Sequence, residues 1–215
     1  MLAHKVTWAG LVSLAHAGGV GANKMKETFK EIAVLIRTFG FKGSGQNFYR
    51  IDSDVVLVIN LQKSSGSNRY YINIGVQPLI LLDENDDPKK VKEYECMFRE
   101  RINPPEGELG WGYELTDLDI NEFKTKLELA NEEYFNLLGN IRESIETMSI
   151  NDLLPEQDAS TIFGGYHAAT FKEFSVLANA YGLSNKAILF AQAGIKICKP
   201  TAKGLFANLT RLASS

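Results

Sequence analysis

The chain has 215 residues, of which 45% are hydrophobic and 23% charged, an ordinary globular composition with enough apolar residues for a substantial core. Its net charge of −3 gives no indication of nucleic-acid binding, and its two cysteines exclude a disulfide framework and fit a reducing cytoplasm. No apolar run reaches the roughly 20 residues that a membrane span requires, so the sequence predicts a cytoplasmic protein without a membrane partner.

Residues 1–22 are predicted to be a flexible lead-in to the first helix. They imitate a signal peptide, but Trp8, Gly10 and His16 dilute the apolar stretch, and we do not expect secretion. The glycines that follow lack the Lys-Ser/Thr pair of a phosphate-binding loop. A helix is then predicted at about residues 23–39, where apolar residues recur at helical spacing.

A β-hairpin is the clearest feature of the sequence. Asp54 to Lys63 is apolar and β-branched, Arg69 to Gln77 repeats that character with period two, and the connector Ser64 to Ser67 is short and polar. A one-residue slip would move every side chain to the other face, so we match apolar with apolar residues and expect Lys63 opposite Asn68. One face of the hairpin is then apolar and belongs to the core, while the other is amphipathic.

Further strand predictions extend the hairpin into an antiparallel meander of four to five strands. Phe41 to Ile51 is predicted as one irregular strand, with glycines marking a turn or bulge. Tyr94 to Ile102 is predicted as a fourth strand with Cys96 pointing into the core. The short aromatic segment Gly110 to Tyr113 is a candidate edge strand.

The C-terminal half of the chain is predicted to be helical. A long helix begins near Thr116 and lies across the sheet or pairs with later helices. Its apolar positions include Phe123, Leu127, Tyr134, Leu137, Ile141 and Met148. Three more helices are predicted at Ala168 to Tyr181, Ser184 to Cys198 and Pro200 to Leu212. The predicted fold class is α+β, with a sheet domain at residues 23–148 and a helical region at 150–215.

Charge is distributed unevenly along the chain. Between Asp83 and Asp158 there are 21 acidic and 8 basic residues, whereas Phe174 to Ser215 has five basic residues and no acidic one. The two stretches are either solvated faces that attract each other across the fold, or a basic end that binds an acidic partner.

The order of these segments resembles a largely bacterial family of unassigned role, the domain of unknown function 4304. The resemblance covers about residues 23–148, implies an α+β domain, and supplies no established activity. The segments that carry it are Gly40-Phe41, Asn47 to Arg50, Asn60 to Ser64 and Tyr71 to Gly75, with a weaker likeness at Cys96 to Arg101 and Trp111.

The candidate site is the amphipathic outer face of the predicted sheet. Amides fix the orientation of a ligand, and guanidinium groups bind carboxylate or phosphate bidentately. An alternative is that Arg99 and Arg101 pair with Glu128 or Glu132 and merely seat the long helix. The predicted ligand- or partner-binding residues are Asn60, Gln62, Lys63, Arg69, Tyr71, Asn73, Arg99 and Arg101.

Catalytic and metal-binding sets are not expected. The three histidines have no sequence-local partners for a triad or zinc site, and Cys96 is more typical of a core residue than of a nucleophile. Asp83 to Asp87 resembles the start of a calcium loop, but Pro88 stands where glycine is required. We therefore expect neither a cofactor nor a metal ion.

Two functional hypotheses follow. The first is a non-enzymatic binding module, such as an accessory or immunity-type protein that neutralises or bridges a partner protein through the outer sheet face. The second is an enzyme or ligand-binding protein for an anionic small molecule or nucleotide, using the same face. Nucleic-acid binding by the basic C-terminal stretch is less favoured, because only Phe190 and Phe206 interleave with its cations.

Overall fold

The computed structural model describes residues 27–65, 69–104, 110, 120–150 and 168–214 and shows an α+β protein with a five-stranded antiparallel sheet. Strand order in the sheet follows chain order, so the predicted meander is confirmed. The strands are β1 (Lys42–Ser44), β2 (Asn47–Asp52), β3 (Val55–Lys63), β4 (Tyr70–Pro78) and β5 (Phe98–Ile102). The helices of the described ranges are α1 (27–38), α2 (Ile120–Leu129), α3 (Asn136–Gly139), α4 (Ile141–Thr147), α5 (Ala168–Ala180), α6 (Ser184–Ile197) and α7 (Lys203–Ala213). None of these helices is both long and apolar enough to cross a bilayer.

The segment predicted as one irregular strand is instead a tight hairpin of β1 and β2. Gly43 adopts a φ of 129°, and a side chain there would collide with the carbonyl oxygen of Asn47 on the paired strand. This close approach explains why a glycine stands at the position. Strand β1 supplies the fifth strand of the described sheet, whereas the other candidate, residues 111–113, lies outside the described residues.

The central hairpin forms with the predicted faces and a register that differs by two residues. Lys63 lies opposite Tyr70 rather than Asn68, and Leu61 lies opposite Ile72. The backbone N–H of Ser64 donates to the carbonyl of Arg69 at 2.8 Å, so the connector is longer than predicted. Because side chains alternate with period two, an even shift leaves every residue on its predicted face.

The inner face of the sheet packs on helices and forms the main core. Leu57, Ile59 and Ile74 are at most 1% exposed and share one hydrophobic cluster with buried residues of α1, α2 and α4. Helices α5 and α6 contribute to the same cluster. The ring of Phe174 in α5 lies 5.6 Å from that of Phe98 in β5, measured between centroids.

The predicted long helix is confirmed as a helical region but is not continuous. Helix α2 passes into a π-helical stretch, Ala130–Phe135, before α3, and Asn140 separates α3 from α4. The three C-terminal helices lie close to their predicted positions. The last of them begins at Lys203 rather than Pro200, because a turn closed by the Ala202 N–H and the Lys199 carbonyl precedes it.

The outer face of the sheet is partly covered by the β4–β5 connection, residues 79–97. Val56 and Val58 are buried beneath it and form a small hydrophobic cluster with Cys96. Two predictions are corrected here: β5 begins at Phe98 rather than Tyr94, and Cys96 packs on the outer face rather than in the main core. Residues 93–95 form a 3₁₀ turn that brings the chain onto this face.

Candidate functional site

Four polar residues form a row across the uncovered part of the outer face. Antiparallel pairing places Asn47 opposite Asn60, Asn60 opposite Asn73, and Asn73 opposite Arg101. The row follows from strand alternation, because apolar neighbours of its members along the strands, such as Phe48, Ile59 and Ile74, are buried in the main core. The structure therefore brings together three of the predicted residues and adds Asn47.

Hydrogen bonds between side chains hold the row in place. Asn60 Nδ2 donates to Asn47 Oδ1, and Arg101 Nε donates to Asn73 Oδ1, each at 2.9 Å. Asn73 Nδ2 in turn donates to Gln62 Oε1 at 2.9 Å. Since each amide is bonded to a neighbour, the side chains are fixed in orientation before any ligand arrives.

Arg101 is also held by an aromatic ring. Its guanidinium carbon lies 4.3 Å from the ring centroid of Tyr71, a cation–π distance. Gly110 lies against the same ring: it has a φ of 78°, and a Cβ there would come within 2.6 Å of Tyr71 Cδ1. The ring is therefore confined, and the plane of the guanidinium is confined with it.

Arg99 makes an ion pair that the sequence does not reveal. Its Nε lies 2.7 Å from Glu93 Oε1, and the Glu93 side chain is 8% exposed whereas that of Arg99 is 51% exposed. Both arginines project from the outer face, while α2 packs on the inner face. The alternative in which they seat the long helix through Glu128 or Glu132 is therefore wrong.

The remaining predicted residues lie at the end of the hairpin. Gln62 and Tyr71 are opposite each other on the outer face, and Arg69 directly precedes β4. Lys63 shares the parity of the buried Leu61 and lies at the exposed end of the inner face. The structure thus does not group Lys63 with the others.

Two small recesses flank the Arg99–Glu93 pair. One, of about 270 Å³, is lined by Asn47, Asn60, Gln62, Lys92, Glu93, Tyr94 and Arg99. The other, of about 310 Å³, is lined by Asn73, Glu93, Arg99, Glu100, Arg101 and Asn103. Asn47 could have been found from its alternation with the apolar Phe48, but nothing in the sequence indicates that Glu93 folds back onto the sheet.

Cys96 has the character of a structural residue. Its thiol is buried beside Glu93, and burial, with smaller effects of Glu93 and Glu95, raises its pKa to about 12. Sγ donates to the carbonyl of Lys92 at 3.5 Å. A thiol that stays protonated is a poor nucleophile, so Cys96 is better explained as a buried packing residue of the outer face than as a nucleophile.

The acidic loop after β4 uses its carboxylates to bind its own backbone. Asp86 accepts a hydrogen bond from the Asp83 N–H at 3.1 Å, and Asp87 accepts one from the Lys89 N–H at 3.0 Å. In the described part of the chain, no group of three or more His, Cys, Asp or Glu side chains is placed to hold a metal ion.

Comparison with known proteins identifies the family. The sequence profile of the family described as Domain of unknown function (DUF4304) matches residues 32–148, which span β1 to β5 and the helices from most of α1 to α4. Searches of the curated proteins and of the solved structures each returned no match. The match extends over more than half of the 215 residues. The chain therefore belongs to the DUF4304 family.

Proposed function

We propose that the chain is a non-enzymatic binding module that recognises a partner protein through the outer face of its sheet. In this proposal it neutralises or bridges its partner, as an accessory or immunity-type protein does. The observation that carries the proposal is the row Asn47, Asn60, Asn73 and Arg101, whose side chains are already ordered by their own hydrogen bonds. A surface that is ordered in advance loses less conformational entropy on binding.

The composition of the surface around the row supports the proposal. Tyr94 is 68% exposed and lines the smaller recess together with Arg99. Tyrosine and arginine are the residue types that most often contribute large binding energies at protein interfaces. The recesses, of about 270 and 310 Å³, lie at the small end of the range for small-ligand pockets and adjoin each other on the sheet face, which suits a protein surface better than a small ligand.

The charges of the site favour a protein over an anionic metabolite. Arg99 and Arg101 line the larger recess, but Glu93 and Glu100 line it as well. Two cations and two carboxylates leave no excess of positive charge to attract an anion from solution. An anionic small molecule remains the second candidate, because among the described residues no acceptor is bonded to the terminal N–H groups of Arg101, and such groups are suitable for a carboxylate or phosphate.

Site-directed photo-crosslinking tests the proposal. A benzoylphenylalanine at position 94 of the outer face is compared with one at position 129, where Leu129 of α2 is 50% exposed on another side. We expect a discrete protein adduct in a host lysate from position 94 and none from position 129. Introducing Asn60→Arg, which places a bulky cation in the row, should reduce that adduct at least about tenfold.

Two results would overturn the proposal. Equal adducts from both positions would show nonspecific capture. A small molecule that co-purifies with the wild type and is lost with Asn60→Arg, in the absence of a protein adduct, would support the anionic-ligand function instead. Circular dichroism of each variant checks that the sheet is intact.

A further inference from the structure

A larger cavity lies between the end of β4 and the β4–β5 connection, and no residue of the polar row lines it. Its volume of about 550 Å³ exceeds that of either recess beside Arg99 and is typical of small-ligand pockets. The half-buried side chains of Leu81, Leu82 and Val91 form the apolar part of its wall. Leu82 and Val91 also pack on the small cluster of the outer face, so this wall is held by the fold.

Gln77 of β4 supplies a hydrogen-bond donor to this cavity, which we call the Gln77 pocket. The side chain is 8% exposed, and its Oε1 accepts the Met97 N–H at 2.8 Å. That bond fixes the orientation of the amide, because a backbone N–H pairs only with the oxygen. No described residue accepts a hydrogen bond from Nε2, yet Nε2 is not among the fully enclosed side-chain atoms that lack a partner. The atom therefore has accessible surface, and a ligand in the pocket can reach it.

The charged lining of the Gln77 pocket is negative overall. It consists of three carboxylates, Asp86, Asp87 and Glu95, and one ammonium group, Lys90. Lys90 Nζ lies 3.7 Å from Asp87 Oδ2, so these two charges balance each other. Within the lining, Asp86 and Glu95 have no such counterion. Their charges attract a cation from solution and repel an anion.

These two carboxylates are oriented by the backbone and each keeps one oxygen for a ligand. Asp86 Oδ2 accepts the Asp83 N–H at 3.1 Å, and Glu95 Oε2 accepts the Lys92 N–H at 2.8 Å. Among the described residues, no donor is bonded to Asp86 Oδ1 or Glu95 Oε1. The carboxylates are not grouped as a metal site requires, which holds for all residues that the structure describes. An organic cation therefore fits the pocket better than a metal ion.

We infer that the Gln77 pocket binds a small organic cation, with an ammonium group on an apolar carbon chain that also bears a carbonyl oxygen. The ammonium group pairs with Asp86 or Glu95, the chain contacts the apolar wall, and the carbonyl oxygen accepts a hydrogen bond from Gln77 Nε2. The pocket is separate from the polar row. The inference thus goes beyond the proposed function and does not depend on it.

NMR titration of the isolated protein tests the inference. The reporters are the side-chain NH₂ of Gln77 and the backbone N–H of Met97, which bonds to it. The probes are ε-aminocaproamide, which has all three features, hexylamine, which lacks the carbonyl, caproamide, which lacks the charge, and adipamic acid, which is anionic. We expect saturable shifts with ε-aminocaproamide and none with adipamic acid. Binding should be about fivefold weaker for hexylamine and about tenfold weaker for caproamide.

Removing the two unbalanced charges tests the cation site. The double variant Asp86→Asn with Glu95→Gln keeps one oxygen of each side chain for the backbone N–H that it accepts. It should weaken the binding of ε-aminocaproamide at least about tenfold. Glu84→Gln is the matched control, because Glu84 is an exposed acid of the same loop that does not line the pocket. Its effect should stay within about twofold.

Gln77→Glu tests the donor, because it keeps an oxygen for the Met97 N–H and replaces Nε2 by a second oxygen. It should abolish the preference for ε-aminocaproamide over hexylamine while hexylamine still binds. Caproamide binding as tightly as ε-aminocaproamide, shifts that do not saturate, or equal effects of the double variant and Glu84→Gln would overturn the inference. If Gln77→Glu does not fold, the double variant still decides, since both of its changes lie at exposed residues.

Discussion

At the scale of single residues, Arg50 combines an ion pair, hydrogen bonds and contacts with aromatic rings. Its Nε pairs with Asp52 at 2.8 Å, and its Nη1 donates to the Phe39 carbonyl and to Asn131 Oδ1. The guanidinium lies 5.0 Å from the ring centroid of Phe41. One side chain thus joins the end of α1, strand β2 and the π-helical stretch.

Replacing Arg50 should therefore destabilise the fold. We expect Arg50→Ala to lower the free energy of unfolding by about 3 kcal/mol, because it leaves several polar groups unpaired, and Arg50→Lys by about 1–2 kcal/mol. Arg142→Ala is the control: that side chain is 59% exposed, and its ion pair should contribute about 0.5 kcal/mol. Urea denaturation measures all three. Equal losses at positions 50 and 142 would contradict this role of Arg50.

The two cysteines should differ in reactivity. Cys96 is 5% exposed with a pKa of about 12, whereas Cys198 is half-buried after α6. Under native conditions at pH 8, we expect a thiol reagent to modify Cys198 and to modify Cys96 only after unfolding, as mass spectrometry of peptides would show. Rapid modification of Cys96 in the folded protein would contradict its placement.

The pKa of Cys96 also predicts a dependence of stability on pH. The folded-state pKa is raised above the ordinary value of 9.0, so the unfolded thiol ionises first as pH rises. This contribution to stability is complete below about pH 9 and is lost between about pH 9 and pH 12. Because Cys96→Ala lacks this thiol, its stability should fall less between about pH 9 and pH 12 than the stability of the wild type.

At the scale of elements, the β4–β5 connection depends on a glycine in β4. A Cβ on Gly75 would lie 2.7 Å from Cys96 Sγ and 2.9 Å from its Cβ. We expect Gly75→Ala to lower stability by about 1–3 kcal/mol and to displace Glu93 from Arg99. Gly139→Ala is the control, because a Cβ at Gly139 meets no atom within 4 Å and alanine favours a helix. Thermal unfolding of both variants compares the two sites.

The elements also show where the sequence is sufficient and where it is not. The period-two pattern of β3 and β4 predicts both faces correctly, but the register depends on the connector from Ser64 to Arg69, whose conformation the pattern does not specify. Helical spacing predicts Phe123, Leu127 and Ile141 in the apolar stripe, and the structure buries all three. It also buries Phe135 and Leu138, which the spacing leaves out, whereas the predicted Tyr134 and Leu137 lie outside the described side chains. Phe135 and Leu138 lie in and just after the π-helical stretch Ala130–Phe135, where the ordinary spacing of an α-helix does not hold, and periodicity does not reveal such a stretch.

The candidate site was predictable to a similar degree. Alternation alone places Asn60, Asn73 and Arg101 on the outer face, and the pairing of four strands turns them into a row. The Arg99–Glu93 pair was not predictable, because Glu93 reaches the sheet through a 3₁₀ turn in a segment that the sequence assigns to the approach to a strand. Long-range placement of loop residues depends on packing, which local patterns do not encode.

At the scale of the whole molecule, the sheet domain and the C-terminal helices could unfold together or separately. The division near residue 150 is a prediction from sequence. Phe174 of α5 is 1% exposed, and its ring lies between Phe98 of β5 at 5.6 Å and Phe190 of α6 at 5.5 Å. A ring shared in this way should couple the unfolding of the two regions.

Hydrogen exchange followed by mass spectrometry tests the coupling. We expect Phe174→Ala to lower the free energy of unfolding by about 3–5 kcal/mol and to reduce protection equally in β3 and in α5. Phe206→Ala is the matched control: this ring is 46% exposed on α7, and its loss should change protection little in either element. If Phe174→Ala released α5 while β3 kept full protection, the helices would be a separate unit that folds on its own. Equal loss in both would mean that the core extends from the sheet into the C-terminal helices as one cooperative structure.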